Sequence, residues 1–282
     1  MIETMVEVLS TQSIHLELTS LIALAMIVVF GLPHGAFDGA VAMALGFGET
    51  LHAMLGFVSC YIAIAILVVL FWLMLPEIAL IIFLLVSSLH FGMGDSQSVG
   101  IIARTTQIFA HGGLAVIGIS LFHKDEVDEI FSHLTGNETV LVWHYLDIAG
   151  FFLFAVIAAY FVQALFKPML RRRLLELILL CFAYYLLPPL IGFTLYFCGV
   201  HSVRHIRYTW GRLRSKEYEI RTIIFLAAGF TIASWFFGML MFWQVPKSEF
   251  LDAAILRTIF IGLAALTVPH MLLVDGIFRR SK

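Results

Sequence analysis

The chain has 282 residues, of which 61% are hydrophobic and 13% charged, with a net charge of −2 and a mean hydropathy of +0.98. That balance leaves too little polar surface for a water-soluble globule. Near-neutral charge without a long basic run excludes a nucleic-acid binder, and Cys60, Cys181 and Cys198, all in apolar segments, make neither a disulfide framework nor a metal-type cysteine pattern.

Met1 to Glu17 carries no Lys or Arg and so lacks the cationic region of a signal peptide. Apolar runs of roughly 20 residues, the length that crosses a bilayer, then recur along the chain. They predict spans at 18–45, 51–75, 77–95, 101–121, 145–166, 170–187, 189–206, 222–243 and 252–276. The expected fold is all-α: one integral-membrane domain over 1–282, a bundle of about nine transmembrane helices, some broken or kinked. Gly31-Leu32-Pro33-His34-Gly35 is expected to break the first span, and Pro188-Pro189 to turn the chain between the sixth and seventh. The acidic stretch 122–144 has room for a short surface helix.

Charge placement fixes the expected orientation. With the N-terminus outside, 13 basic residues fall on the inner side: Arg104, Lys167, Arg171 to Arg173, Arg207, Arg212, Arg214, Lys216, Arg221, Arg279, Arg280 and Lys282. Only Lys124 and Lys247 fall outside, and Arg204 and Arg257 lie within spans. This asymmetry is the positive-inside pattern, and it predicts a cytoplasmic C-terminus and a cytoplasmic basic loop at 207–221. Merging the sixth and seventh spans would put that loop outside.

Histidine in hydrocarbon is costly unless something uses it. At about 1.5 Å per residue, His34, His90, His201, His205 and His270 all come out roughly 18–27 Å from the outer face. They therefore share the inner half of a core about 30 Å thick. His201 and His205, four residues apart, occupy one helical face, the usual way for one helix to offer two imidazoles to a metal. With His34 and His90 they form the candidate ligand set.

Asp38, Asp95 and Asp275 each stand about one turn after a membrane histidine (His34, His90 and His270), although the chain has only seven Asp. A carboxylate so placed can accept the second N–H of a ligating imidazole, so these three, with His111, Arg204 and His270, are candidates for supporting positions around the site. Phe193, Tyr196, Phe197 and Tyr208 are candidate walls of an apolar substrate tunnel. The remaining histidines, at or beyond span ends, have no assigned role. No Lys lies deep in a span, which excludes a retinal Schiff base. By ligand type alone the imidazoles suit Fe(II), Zn(II), Cu or Ni. A closed tetrahedral zinc would do no redox chemistry, whereas four ligands leave positions on six-coordinate iron open to O2.

Gly31-Leu32-Pro33-His34-Gly35-Ala36-Phe37-Asp38, Ser88-Leu89-His90-Phe91 with Asp95, His111-Gly112-Gly113, His201-Ser202-Val203-Arg204-His205 and Pro269-His270-Met271-Leu272-Leu273, in that order, resemble the bacteriorhodopsin-related-protein-like β-carotene 15,15′-dioxygenases. The resemblance covers nearly the whole chain. It implies an iron(II) enzyme of microbial cell (inner) membranes that splits the central double bond of β-carotene with O2 into two all-trans retinal molecules, with a microbial rhodopsin as their recipient. The family's iron ligands carry over onto His34, His90, His201 and His205. Two rival classes remain. A membrane di-iron hydroxylase or desaturase needs about eight clustered histidines, and the chain has one H-x-x-x-H and no His-His pair. A metal or proton transporter needs polar groups through both halves of the membrane, whereas here they gather in one.

Overall fold

The computed structural model describes residues 16–97, 100–136, 138–215, 218–244 and 251–279, with the side chains of His34 and Ser215 outside that description. Most of the Met1–Glu17 stretch, and Lys216, Lys247, Arg280 and Lys282 of the charge reading, also lie outside the described residues. Everything described is helix or short connection, with no strand.

The first span runs as α1 (Leu18–Met26), a π-helical turn at Ile27–Gly31, a 3-10 segment at Leu32–Phe37, α2 (Asp38–Ala42) and a second π turn at Met43–Phe47. The expected break is therefore a change of helical pitch around Pro33, which has no N–H to give an α-helical ladder. Thr50 then caps α3 (Leu51–Met74), accepting from Ala53 N at 3.1 Å. Leu75 alone connects α3 to α4 (Pro76–Asp95), where Pro sits at the first helical position. Gly100, at φ 92°, turns the chain back into α5 (Ile101–Gly113), which runs through a π turn at Leu114–Gly118 into α6 (Ile119–Phe122).

The α4–α5 crossing is the most extensive helix pair among the described residues. A Cβ on Gly112 would lie 1.8 Å from Ser88 O, and one on Gly92 would lie 2.0 Å from Ile108 O. The two backbones touch, as small residues allow in membrane bundles.

The acidic stretch holds a surface helix, α7 (Lys124–Thr135), which buries Val127, Phe131 and Leu134. Then come α8 (Val140–Phe166) and α9 (Arg171–Leu186). The chain bends at Leu187–Pro188 into α10 (Pro189–Tyr196), a π turn at Phe197–Ser202 and α11 (Val203–Ser215). The basic segment expected as a loop is thus helical as far as Ser215. Its arginines gather near the helix C-terminus, where positive charge suits the helix dipole. The chain finishes with α12 (Ile220–Gln244), α13 (Leu251–Met271) and a π turn at Leu272–Phe278.

Among the described residues, seven helices are long and apolar enough to cross a membrane: Leu18–Phe47, Leu51–Met74, Pro76–Asp95, Ile101–Phe122, Val140–Phe166, Ile220–Gln244 and Leu251–Phe278. The sixth and seventh expected spans are α9, whose 16 residues reach about 24 Å, and the more polar α10–α11 rod. The exterior is inverted relative to a soluble protein: Phe154 and Phe225 are both 77% exposed, while Asp38 and Asp95 are fully buried. Such a surface is stable only in lipid.

Candidate metal centre

Four imidazoles meet inside the bundle. His90 comes from α4, His201 from the π turn at Phe197–Ser202, His205 from α11, and His270 from the end of α13 just after Pro269. None is more than 3% exposed. Ring centroids are 4.9 Å apart for His90–His201, 5.1 Å for His90–His270 and 4.9 Å for His205–His270. They are 6.3 Å apart for His201–His205 and 6.5 Å for His90–His205. Gly94 leaves room for this packing, since a Cβ there would stand 3.2 Å from His201 Cε1.

Three of these spacings suit one ion. With nitrogens at about 2.1 Å, ring centroids lie about 3.2 Å from a metal and, at angles of about 90–110°, about 4.5–5.2 Å from each other, as for His90–His201, His90–His270 and His205–His270; the His201–His205 and His90–His205 pairs stand wider. Two such nitrogens, at angles of about 90–110°, stand about 3.0–3.4 Å apart. His90 Nε2 and His201 Nε2 are 3.2 Å apart.

Two carboxylates hold the rings from behind. His90 Nδ1 donates to Asp275 Oδ2 at 2.7 Å, and Arg279 Nε forms an ion pair with the other oxygen of Asp275 at 2.8 Å. His270 Nδ1 donates to Asp38 Oδ1 at 2.8 Å, and the Tyr61 hydroxyl donates to Asp38 Oδ2 at 2.9 Å. An ionised carboxylate only accepts, so the proton of each imidazole sits on Nδ1 and the lone pair on Nε2. This is the usual carboxylate–histidine arrangement around a metal.

The carboxylates do not serve the histidines they follow in sequence. Asp38 follows His34 yet holds His270, and Asp275 follows His270 yet holds His90. Asp95 follows His90 but accepts instead from the Tyr196 hydroxyl at 2.8 Å and pairs ionically with Arg204, whose Nη1 lies 2.9 Å from Oδ1. Arg204 also reaches Glu176 Oε1 at 2.5 Å, and Arg173 Nη1 lies 2.9 Å from Glu176 Oε2. This bridge ties α4, α9 and α11 together.

His111 is buried outside the imidazole centre. It brings a ring nitrogen within 4.8 Å of ligand atoms of Asp95 and Glu176, and neither ring nitrogen has a hydrogen-bond partner among the described residues. Arg204 and Arg173 already balance both carboxylates of that group, so its formal charge needs no further cation.

His34 lies on the 3-10 segment, and its side chain is outside the described residues. The next residue borders the centre, since a Cβ on Gly35 would be 3.6 Å from His270 Nδ1. Of the expected aromatic walls, Phe197 lies near-parallel to His201 at 6.3 Å and stacks on Phe193 at 5.4 Å. Phe91 meets the His201 ring edge-on at 4.7 Å. Tyr196 is fully buried, with its hydroxyl on Asp95. Tyr208 sits to one side, 40% exposed, with Arg212 5.9 Å and Arg279 5.5 Å from its ring centre.

Sequence reasoning passed over Glu176, Tyr61 and Arg279 as parts of the site. Glu176 is the only acidic residue between 170 and 187, and Tyr61 the only Tyr between 51 and 75; a lone polar group in a span was the available signal.

The family described as beta-carotene 15,15′-dioxygenase matches residues 25–278. A beta-carotene 15,15′-dioxygenase of uncultured marine bacterium 66A03 is 37% identical over 262 residues, covering 91% of this chain and 93% of that protein. A probable beta-carotene 15,15′-dioxygenase, Blh, of Halobacterium salinarum is 24% identical over 287 residues, covering 90% and 83%. No solved structure matches the chain.

Proposed function

The chain belongs to the beta-carotene 15,15′-dioxygenase family, and from that premise we propose that it splits the central double bond of β-carotene with O2 at an iron(II) held by buried imidazoles. His90, His201 and His205 are ligands in this reading, with His34 carried over from the family resemblance and His270 as a further imidazole at the same centre. The observation that carries the reading is the convergence of four buried imidazoles inside a membrane bundle, two of them held through Nδ1 by carboxylates.

In the net reaction one C=C breaks and two C=O form, with both oxygens taken from one O2 and two molecules of retinal released. No proton enters or leaves, so no general acid or base is required. Bound iron supplies the one-electron chemistry with O2 that amino-acid side chains lack. The protein supplies position. Asp275 and Asp38 fix the tautomers of His90 and His270 and aim each Nε2 inward. Phe91, Phe193 and Phe197 make an apolar wall along which a polyene can lie, and they exclude water from the centre. The lipid bilayer delivers the carotenoid, and a microbial rhodopsin is the fitting recipient of retinal.

A mononuclear site is supported over a di-iron one because the two carboxylates nearest the rings face Nδ1 atoms and are occupied there. A transporter is disfavoured because the four buried imidazoles gather at one place instead of lining a path. The deciding experiment is expression in cells that make β-carotene. Retinal should accumulate with the intact chain; persistence of β-carotene with no retinal refutes the reading.

Asp275→Asn is expected to lower iron affinity or turnover about 10–100-fold without unfolding the chain. Metal analysis and retinal assay of the purified variant check this, and unchanged values would remove Asp275 from its orienting role. We place the protein in the cell membrane with the N-terminus outside and the C-terminus in the cytoplasm, on the basic-residue asymmetry. Accordingly, a cysteine introduced at Ser215 should resist impermeant reagents applied to intact cells and react once the cells are opened. Labelling from outside would reverse the orientation.

A further inference from the structure

His201, His205 and Thr209 follow one another at steps of four residues along one face of the π turn and α11. Thr209 is fully buried. Its hydroxyl oxygen lies 3.3 Å from His205 Nε2 and has no other hydrogen-bond partner among the described residues. Helical hydroxyls elsewhere in the bundle behave differently. Ser120, Thr135, Thr231, Ser234 and Thr258 each donate to the carbonyl oxygen four residues back, at 2.7–2.9 Å. That bond satisfies a buried hydroxyl within its own helix. Thr209 is turned instead to an imidazole.

The neighbouring rings are held the other way round. Carboxylates occupy Nδ1 of His90 and of His270, and His201 Nε2 stands 3.2 Å from His90 Nε2. These three rings turn Nε2 to the centre. In His205 it is Nε2 that meets a partner. The nitrogen that a ligating histidine gives to a metal is set by the hydrogen bond that the other nitrogen makes. The two nitrogens face opposite sides of the ring. Thr209 stands one turn beyond His205 and His201 one turn before it, so Nδ1 is turned to the side of His201.

We propose that His205 coordinates iron through Nδ1, and that Thr209 is the positioning residue that fixes this by accepting from Nε2–H. The inference rests on the iron reading and adds Thr209 to it. A hydroxyl suits the place. It accepts from an N–H or donates to a bare ring nitrogen, so it holds the imidazole in either tautomer. It also adds no charge beside the buried carboxylates of Asp38 and Asp275.

The test uses the purified full-length protein, with zinc(II) as a diamagnetic probe of the same site. Magnetic resonance of isotopically labelled histidine nitrogens distinguishes a metal-bound Nδ1 from a metal-bound Nε2. The His205 ring should be bound through Nδ1 with its proton on Nε2, and the His90 ring through Nε2. Binding of His205 through Nε2 overturns the proposal. Iron(II) affinity, read by competition with a chelator, gives a second measure. Thr209→Val keeps the bulk and removes the hydroxyl, and should lower affinity about 10–100-fold, whereas Thr209→Ser should stay within about threefold of the unaltered protein. Equal loss in both variants, or loss in neither, leaves Thr209 a packing role only and overturns the proposal. If Thr209→Val fails to fold, the spectrum of the unaltered protein decides alone. Unaltered protein that binds neither metal refutes the iron reading; protein that binds iron and makes retinal, with His205 held through Nε2, refutes only the part given to Thr209.

Discussion

Replacing His90 by Ala is expected to abolish retinal formation and to strip the protein of iron. His90 is the hub of the centre: its ring neighbours those of His201, His205 and His270, and its Nδ1 is the donor to Asp275. The substitution removes an inward-facing Nε2 and takes from Asp275, a buried carboxylate, its hydrogen-bond donor and leaves it only the ion pair with Arg279. Loss of a mere orienting partner costs about 10–100-fold in metal affinity or activity, so loss of the ligand itself should exceed about 100-fold. Metal analysis and chromatography of the products measure both effects on the same preparation. His111→Ala is the matched comparison, because that histidine is equally buried but lies outside the imidazole cluster. It should retain iron. If His111→Ala loses iron and His90→Ala keeps it, the metal is held elsewhere.

Gly112→Ala is expected to destabilise the bundle by about 3 kcal/mol, at the upper end of overpacking costs. The added Cβ would meet Ser88 O at 1.8 Å and Gly92 N at 2.9 Å, both backbone atoms that cannot rotate aside. Relief requires α4 and α5 to separate, and α4 carries His90 two residues from each contact. Iron loss should therefore accompany the loss of stability. Gly56→Ala on α3 is the control, since nothing lies within 4 Å of a Cβ there. A helical Gly→Ala change in open space is favourable by up to about 1 kcal/mol. Denaturation in detergent micelles measures both; equal stabilities would show that α4 and α5 do not pack as closely as described.

The helical bundle was legible because lipid demands it. Long apolar runs have no other way to satisfy their backbone, and Pro33 marked the broken helix because proline cannot supply the missing hydrogen bond. The gathering of His90, His201, His205 and His270 was also legible, since a constant rise per residue converts position in a span into depth. The pairing of carboxylates with imidazoles was not. Spacing along one helix relates neighbours on that helix, whereas the hydrogen bonds run between helices: Asp38 and His270 are 232 residues apart, His90 and Asp275 185. Glu176 escaped notice for a similar reason. Beside Arg171 to Arg173 it reads as an interfacial charge, and only the fold brings Arg204 and Asp95 to it. The helical stretch to Ser215 was misjudged as a loop because its arginines broke the apolar pattern, although charge at a helix C-terminus is favourable.

X-ray absorption at the iron edge, on purified protein that converts β-carotene to retinal, tests the central claim most directly. The predicted result is one iron per chain, surrounded by imidazole nitrogens at about 2.1 Å, with no sulfur ligand. Absence of iron from active protein, a sulfur neighbour, or a second iron a few ångströms away would contradict a mononuclear centre built from these imidazoles.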